Sequence, residues 1–245
     1  VNESTNTNRI KQWLMVAFLG LILFAIIGLA ISTWGRIEAG PVASVVTVLI
    51  VLTGAAVVAV ELGQALVAFG VLLTCGLSEV IGVFTGLPFG RYEYTDRWWP
   101  TVMLGGKHHY PLLIPFAWLL ILGGAYQIAR TRFNRWQSVP VCAIITTLID
   151  IPLERAMTTM FGYWKWDRVG PIFGAPVMNS VGWFSVSIIA ASILAIPDRQ
   201  LGGNVSQKVL MVFCGFVAVT GLIHGFNWAW VILGIIPVLL KSAAK

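Results

Sequence analysis

The chain has 245 residues, of which 58% are apolar and only 11% charged, against roughly 25% charged in an ordinary soluble domain. A mean hydropathy of +0.84 requires long apolar runs rather than scattered core positions, which excludes a water-soluble globule. The 16 Lys and Arg outnumber the 10 Asp and Glu for a net charge of +6. They stand singly between apolar runs, as in the loops of a membrane protein, and form no patch of the kind that binds nucleic acid.

From the N-terminus, a polar stretch from Val1 to Arg9 leads into an apolar run from Trp13 to Trp34, with a tryptophan for each interface. The run exceeds the ~7–15 residues of a signal-peptide core and no small-residue cleavage site follows, so it reads as a first span. Further runs cover Val42 to Val60, Leu62 to Val83, Leu112 to Ala129, Val139 to Phe161, Val177 to Ile196, Val209 to Ile223 and Phe226 to Leu240. Lipid leaves only helices or closed barrels to satisfy the backbone, and alternating strands are not seen. An all-α polytopic transmembrane bundle is therefore expected, with about eight spans at ~20 residues each, within a range of six to eight.

The range is set by two weak separations, Glu61 to Gln64 and His224-Gly225. The last two runs are short for a ~30 Å hydrocarbon core and predict a tilted or broken pair. Basic residues divide almost evenly between the two sides, with a small excess that puts the N-terminus in the cytoplasm. Residues 1–245 read as a single membrane domain without repeats or linkers. The loops after the third and fifth spans are two crossings apart, so they belong to the same face of the membrane.

Those two loops carry the informative residues. Glu79 lies near the end of the third span, where an ionised carboxylate costs several kcal/mol unless it is paired or faces a cavity. It is either a functional acid, a structural ion-pair partner of Arg91 or Arg155, or a residue already at the wet interface. Gly82, Gly86, Pro88 and Gly90 break the helix and predict a turn or re-entrant excursion. In the fifth span Asp150 and Glu154 are four residues apart and share one helix face. Like charges that close in low dielectric do not both ionise, so one of the pair keeps a proton to donate. Pro152 between them opens that face by kinking the helix. Here too the alternative is neutralisation by Arg155 or Arg91.

Aromatic residues crowd the same loops: Phe84, Phe89, Tyr92, Tyr94, Trp98, Trp99, Tyr163, Trp164 and Trp166. They suit interfacial anchoring. They also suit the lining of an apolar slot whose π faces stabilise a transient cation by up to about 2 kcal/mol. Adjacent His108 and His109 diverge on any regular backbone and make poor metal ligands, and His224 reads as interhelical glue. Cys75, Cys142 and Cys214 lie inside apolar runs with no CxxC or Cys/His spacing, so they read as packing residues. No nucleotide or metalloprotease motif occurs.

The segment Ser78-Glu79 to Gly82, Thr85-Gly86-Leu87-Pro88-Phe89-Gly90-Arg91-Tyr92, Tyr94-Thr95, Pro111 to Pro115 and Ala117-Trp118 resembles the integral-membrane carotenoid biosynthesis proteins that include the carotenoid 1,2-hydratases. Asp150, Leu153-Glu154, Gly162-Tyr163-Trp164, Trp166, Gly174, Pro176, Asn179 and Gly182-Trp183 are similar to that family's second block. The resemblance covers residues 78–183.

It implies addition of water across the terminal double bond of an acyclic carotenoid end group, without a redox cofactor; no metal is expected from the residue spacing, and the expected location is the cytoplasmic membrane. Carotenoid pathway enzymes such as a glycosyltransferase, elongase or desaturase are its implied neighbours. Such chemistry needs a neutral carboxylic acid, electron-rich walls and a second carboxylate for water. Glu79, Asp150 and Glu154 are the candidate acid/base set, with Asp150 or Glu154 as proton donor, Glu79 at the water and Arg91 beside the ionised partner. Phe89, Arg91, Tyr92, Tyr94, Tyr163, Trp164, Trp166 and Asn179 are the candidate substrate contacts. Three other readings remain open at this point: a non-catalytic carotenoid-binding or complex-assembly subunit, a carotenoid end-group cyclase, and a small transporter, the last disfavoured because the acids gather on one face.

Overall fold

The computed structural model describes residues 2–37, 40–197 and 204–225. Within them every long apolar run is a helix: α1 Asn2–Gly35, α2 Gly40–Leu62, α3 Ala65–Thr85, α4 Ile114–Arg130, α5 Ser138–Arg155, α6 Val177–Ala195 and α7 Val205–Ile223. Five of these, α1, α2, α3, α6 and α7, are long and apolar enough to cross a membrane. α4 is apolar but only 17 residues long, and the acids of α5 dilute its hydropathy. Seven helices thus stand among the described residues where about eight spans were expected, and the eighth, Phe226 to Leu240, lies outside them.

The doubtful boundary at Glu61 to Gln64 is a real break, because Gly63 adopts a positive φ of 59° and α3 starts afresh at Ala65. α7 begins at Val205, earlier than its apolar run suggests, and its 19 residues span about 28 Å at ~1.5 Å per residue. Glu61 at the end of α2 explains the early start. Its carboxylate accepts the backbone N–H of Val205 at 3.0 Å and of Ser206 at 2.6 Å, and also the Ser206 hydroxyl. Donors that a helix N-terminus would otherwise leave open are thereby satisfied from a neighbouring helix.

α4 is the central helix, buried almost continuously from Trp118 to Ala129 and packed against α2, α3, α5 and α7. Two glycines allow that. A Cβ on Gly123 would lie 2.2 Å from Val58 of α2, and one on Gly124 would lie 2.4 Å from Leu210 of α7. Backbones can approach this closely only where side chains are absent, the usual device of helices that pack in lipid.

The aromatic loops hold the turn that their glycines and prolines suggested, closed by the Gly90 N–H on Gly86 O, and beside it a small antiparallel sheet that was not expected. β1 (Tyr92–Tyr94), β2 (Thr101–Leu104) and β3 (His108–Pro111) come from the α3–α4 connection and β4 (Trp164–Trp166) from the α5–α6 connection. Their order is β2-β3-β1-β4, with Tyr92 opposite Trp166 and Tyr94 opposite Trp164. The two informative loops are therefore hydrogen-bonded to each other at one end of the bundle. α3 stops beneath the sheet at Gly86, which adopts the left-handed conformation and returns its N–H to Gly82 O. α5 runs past Pro152 into a π-helical turn, Ala156–Met160, before β4.

Candidate functional site

Glu79 is 4% exposed and lies nearly two turns before the end of α3. Its Oε2 accepts the hydroxyls of Tyr92 at 2.6 Å and Tyr94 at 2.7 Å, and its Oε1 accepts the Trp118 indole N–H at 2.8 Å. Strand β1 supplies the phenols because alternate residues of a strand face the same side, which places Tyr92 and Tyr94 inward and Glu93 outward. Close approach of this segment requires Gly82 and Gly182: a Cβ on Gly82 would lie 2.7 Å from the Tyr92 hydroxyl, and one on Gly182 would lie 2.5 Å from the Phe89 ring. Phe89 is thereby wedged between α3 and α6. Burial, and the negative charge of Glu79 beside them, push both phenols well above their ordinary value, so they remain donors to the carboxylate.

Asp150 and Glu154, each 1% exposed, share one face of α5, as their spacing predicts. Glu154 Oε1 accepts two indole N–H groups from β4, Trp164 at 2.8 Å and Trp166 at 2.5 Å. The Asn179 amide, from the first turn of α6, donates to Asp150 Oδ2 at 2.7 Å and reaches Glu154 Oε2 at 3.4 Å. Asp150 Oδ1 is buried and has no hydrogen-bond partner. Glu79 and Glu154 line a common chamber of about 30 Å³ with Tyr92, Trp166, Asn179 and Trp183. That is above the ~10–15 Å³ that one ordered water needs. Asp150 sits behind the chamber, linked to it through Asn179.

A larger apolar cavity of about 150 Å³ adjoins this chamber, and Ile114, Trp164 and Trp183 line both. Trp183 stacks on Trp118 with ring centres 3.9 Å apart, and Tyr163 stacks on Trp98 at 5.1 Å in the cavity wall. The acids of α3 and α5, the aromatic residues of the sheet and a cavity fit for a hydrocarbon chain therefore meet at one end of the bundle. The sequence model of the family described as "carotenoid biosynthesis protein" matches residues 39–241. The chain belongs to this family. No curated protein and no solved structure matches it.

For a member of the carotenoid biosynthesis family, the placement of the other candidates is informative. Phe89, Tyr92, Tyr94, Trp164, Trp166 and Asn179 line the acidic chamber, whereas Tyr163 lines the apolar cavity. Arg91 is exposed and packs its side chain over Gly86, so it stands outside the wall. His108 meets the Phe84 ring edge-on at 5.2 Å, and the His224 ring approaches Thr220 O at the end of α7. Residues that single-sequence reasoning did not place in the site are Trp118, Trp183 and Ile114. Trp118 and Trp183 were visible in the two family blocks, but nothing in their local pattern sets a site tryptophan apart from one that packs a helix.

Proposed function

We propose that this protein is a carotenoid 1,2-hydratase, which adds water to the terminal double bond of an acyclic carotenoid. The observation that carries the reading is the pair Glu79 and Glu154 on one water-sized, aromatic-walled chamber that adjoins an apolar cavity. An alkene has no polar handle, so binding must come from the apolar walls and rate from a positioned acid.

In this proposal Glu154 is the acid. Two indole N–H groups occupy its Oε1, whereas Oε2 meets only the Asn179 amide, at 3.4 Å, and is the oxygen that carries the proton. Transfer of that proton to C2 of the end group uses the π electrons and leaves a tertiary cation at C1. The Glu79 carboxylate, held by three donors, and the faces of Trp164 and Trp183 stabilise the cation. A water captured at C1 forms the C–O bond and loses a proton to the Glu154 carboxylate. The acid is regenerated, and the sum is alkene plus water to tertiary alcohol with no oxidant or reductant. Asp150 acts as a positioning residue, fixing Asn179 and through it Glu154.

Expression in a bacterium that accumulates an acyclic carotenoid, followed by mass analysis, tests the proposal. A product heavier by one water, absent in Glu154→Gln with the protein still folded, supports it. An isomer of unchanged mass would point to a cyclase, and bound but unaltered pigment to a carotenoid-binding subunit; either would overturn it.

A further inference from the structure

The apolar cavity has a floor and a mouth. Its floor, toward the acidic chamber, is made of buried side chains such as Trp118, Trp183 and Ile121. On the other side its lining includes Phe24 of α1 and Val42 of α2, which are 55% and 58% exposed, together with exposed Gly28 and Ala43. These lie in the second half of α1 and the first turn of α2, two of the most apolar helices, whose outer faces are the surface a bilayer would cover. A cavity of about 150 Å³ matches one that holds a benzene-sized guest. It seats only a terminal segment of a long polyene, and the remainder must leave through the mouth.

From this geometry we infer that the exposed rim which α1 and α2 give the cavity is a lateral portal, through which one end of a linear polyene passes from the bilayer to the acidic chamber while the rest of the chain stays in lipid. The portal spares an apolar substrate any passage through water, which hydrophobic transfer would oppose at about 25 cal/mol per Å² of exposed surface. It also makes the enzyme act on one chain end at a time. The inference rests on the polyene substrate of the proposed function but not on hydration.

Gly28 offers the test, because a Cβ built there meets nothing within 4 Å, and the same holds for Gly20 two turns earlier on α1, outside the cavity lining. Gly28→Phe therefore starts from an unobstructed Cβ and sets a bulky ring at the rim of the cavity, and Gly20→Phe is the matched control. Each protein is reconstituted in lipid nanodiscs with lycopene, an achiral acyclic polyene. Binding is read as circular dichroism induced in the polyene band, and hydration by mass in the same samples. The portal predicts an induced band for the wild type and for Gly20→Phe, and about tenfold or weaker binding for Gly28→Phe. Equal binding by Gly28→Phe would overturn the portal and mark the mouth as a lipid-filled groove, whatever the hydration result. Absence of an induced band in the wild type would overturn it as well. Binding blocked by Gly28→Phe, with no hydration in any sample, would uphold the portal and refute the hydratase.

Discussion

Replacing Glu79 by glutamine separates a carboxylate that organises the site from one that merely occupies it. The carboxylate accepts three hydrogens, two from phenols and one from an indole. Glutamine offers one acceptor oxygen and two donor hydrogens. With its oxygen toward the tyrosines, both phenol bonds fall from charged strength, about 1.5–3 kcal/mol, to neutral strength, about 0.5–1.5 kcal/mol. Its amide then faces the Trp118 N–H, leaving a buried donor unpaired at about 1–3 kcal/mol. With the oxygen toward Trp118, the phenols can rotate to accept from the amide but lose an acceptor for their own hydrogens. Relief from burying a charge offsets part of this, leaving a net loss of about 2–4 kcal/mol. For a chain of this size each kcal/mol moves the melting temperature by about 2–4 °C, so Glu79→Gln should melt roughly 5–15 °C below wild type. The same carboxyl-to-amide change at Asp150 should cost under about 1 kcal/mol, because Oδ1 has no partner to lose and the amide oxygen can still accept from Asn179. Thermal loss of helical circular dichroism in one detergent measures both. A Glu79→Gln protein that melts with wild type, or above Asp150→Asn, would refute the reasoning.

Three further expectations follow from other contacts. Gly182→Ala sets a Cβ 2.5 Å from the Phe89 ring and 2.9 Å from Pro88 O, an overpacking worth about 1–3 kcal/mol; its melting temperature should fall, whereas Gly215→Ala, whose Cβ meets nothing within 4 Å, should not destabilise by that route. Glu61→Ala strips the cap from α7 and leaves the Val205 and Ser206 amides open at about 1–3 kcal/mol, which hydrogen exchange should detect as faster exchange confined to the first turn of that helix. Burial and Glu79 hold Tyr92 and Tyr94 neutral, so at pH 10, where a free phenol is half ionised, the native protein should show less phenolate absorbance than the denatured chain. Since unfolding releases those ionisations, stability contributed by the neutral phenols is intact below about pH 10 and declines as pH rises further; equal absorbance of the two forms would contradict this.

Helix positions were legible because lipid permits little else, and the i, i+4 spacing of Asp150 and Glu154 placed both on one face, as found. The same-face argument for the two loops was legible from crossing parity alone. The sheet was not. β1 and β4 have three residues each, too few to establish a period amid glycine and proline, and they are held by pairing across distant parts of the chain. Glu79 was conspicuous as a lone acid in an apolar run, but its partners are two tyrosines and a tryptophan rather than the arginines that sequence offered. Charge complementarity suggests Arg91, whereas a buried carboxylate can be satisfied by neutral donors already desolvated by packing. Glu61 shows the same limit, since its task is to cap a helix 144 residues further along the chain.

The central claim is that a carboxylic acid delivers a proton to carbon, and running the reaction in deuterium oxide tests it most directly. The account predicts a tertiary alcohol that keeps one deuterium on carbon after its hydroxyl has been washed back in ordinary water, and no such product from Glu154→Gln. A hydroxylated product without carbon-bound deuterium, or full deuterium incorporation by Glu154→Gln, would contradict it.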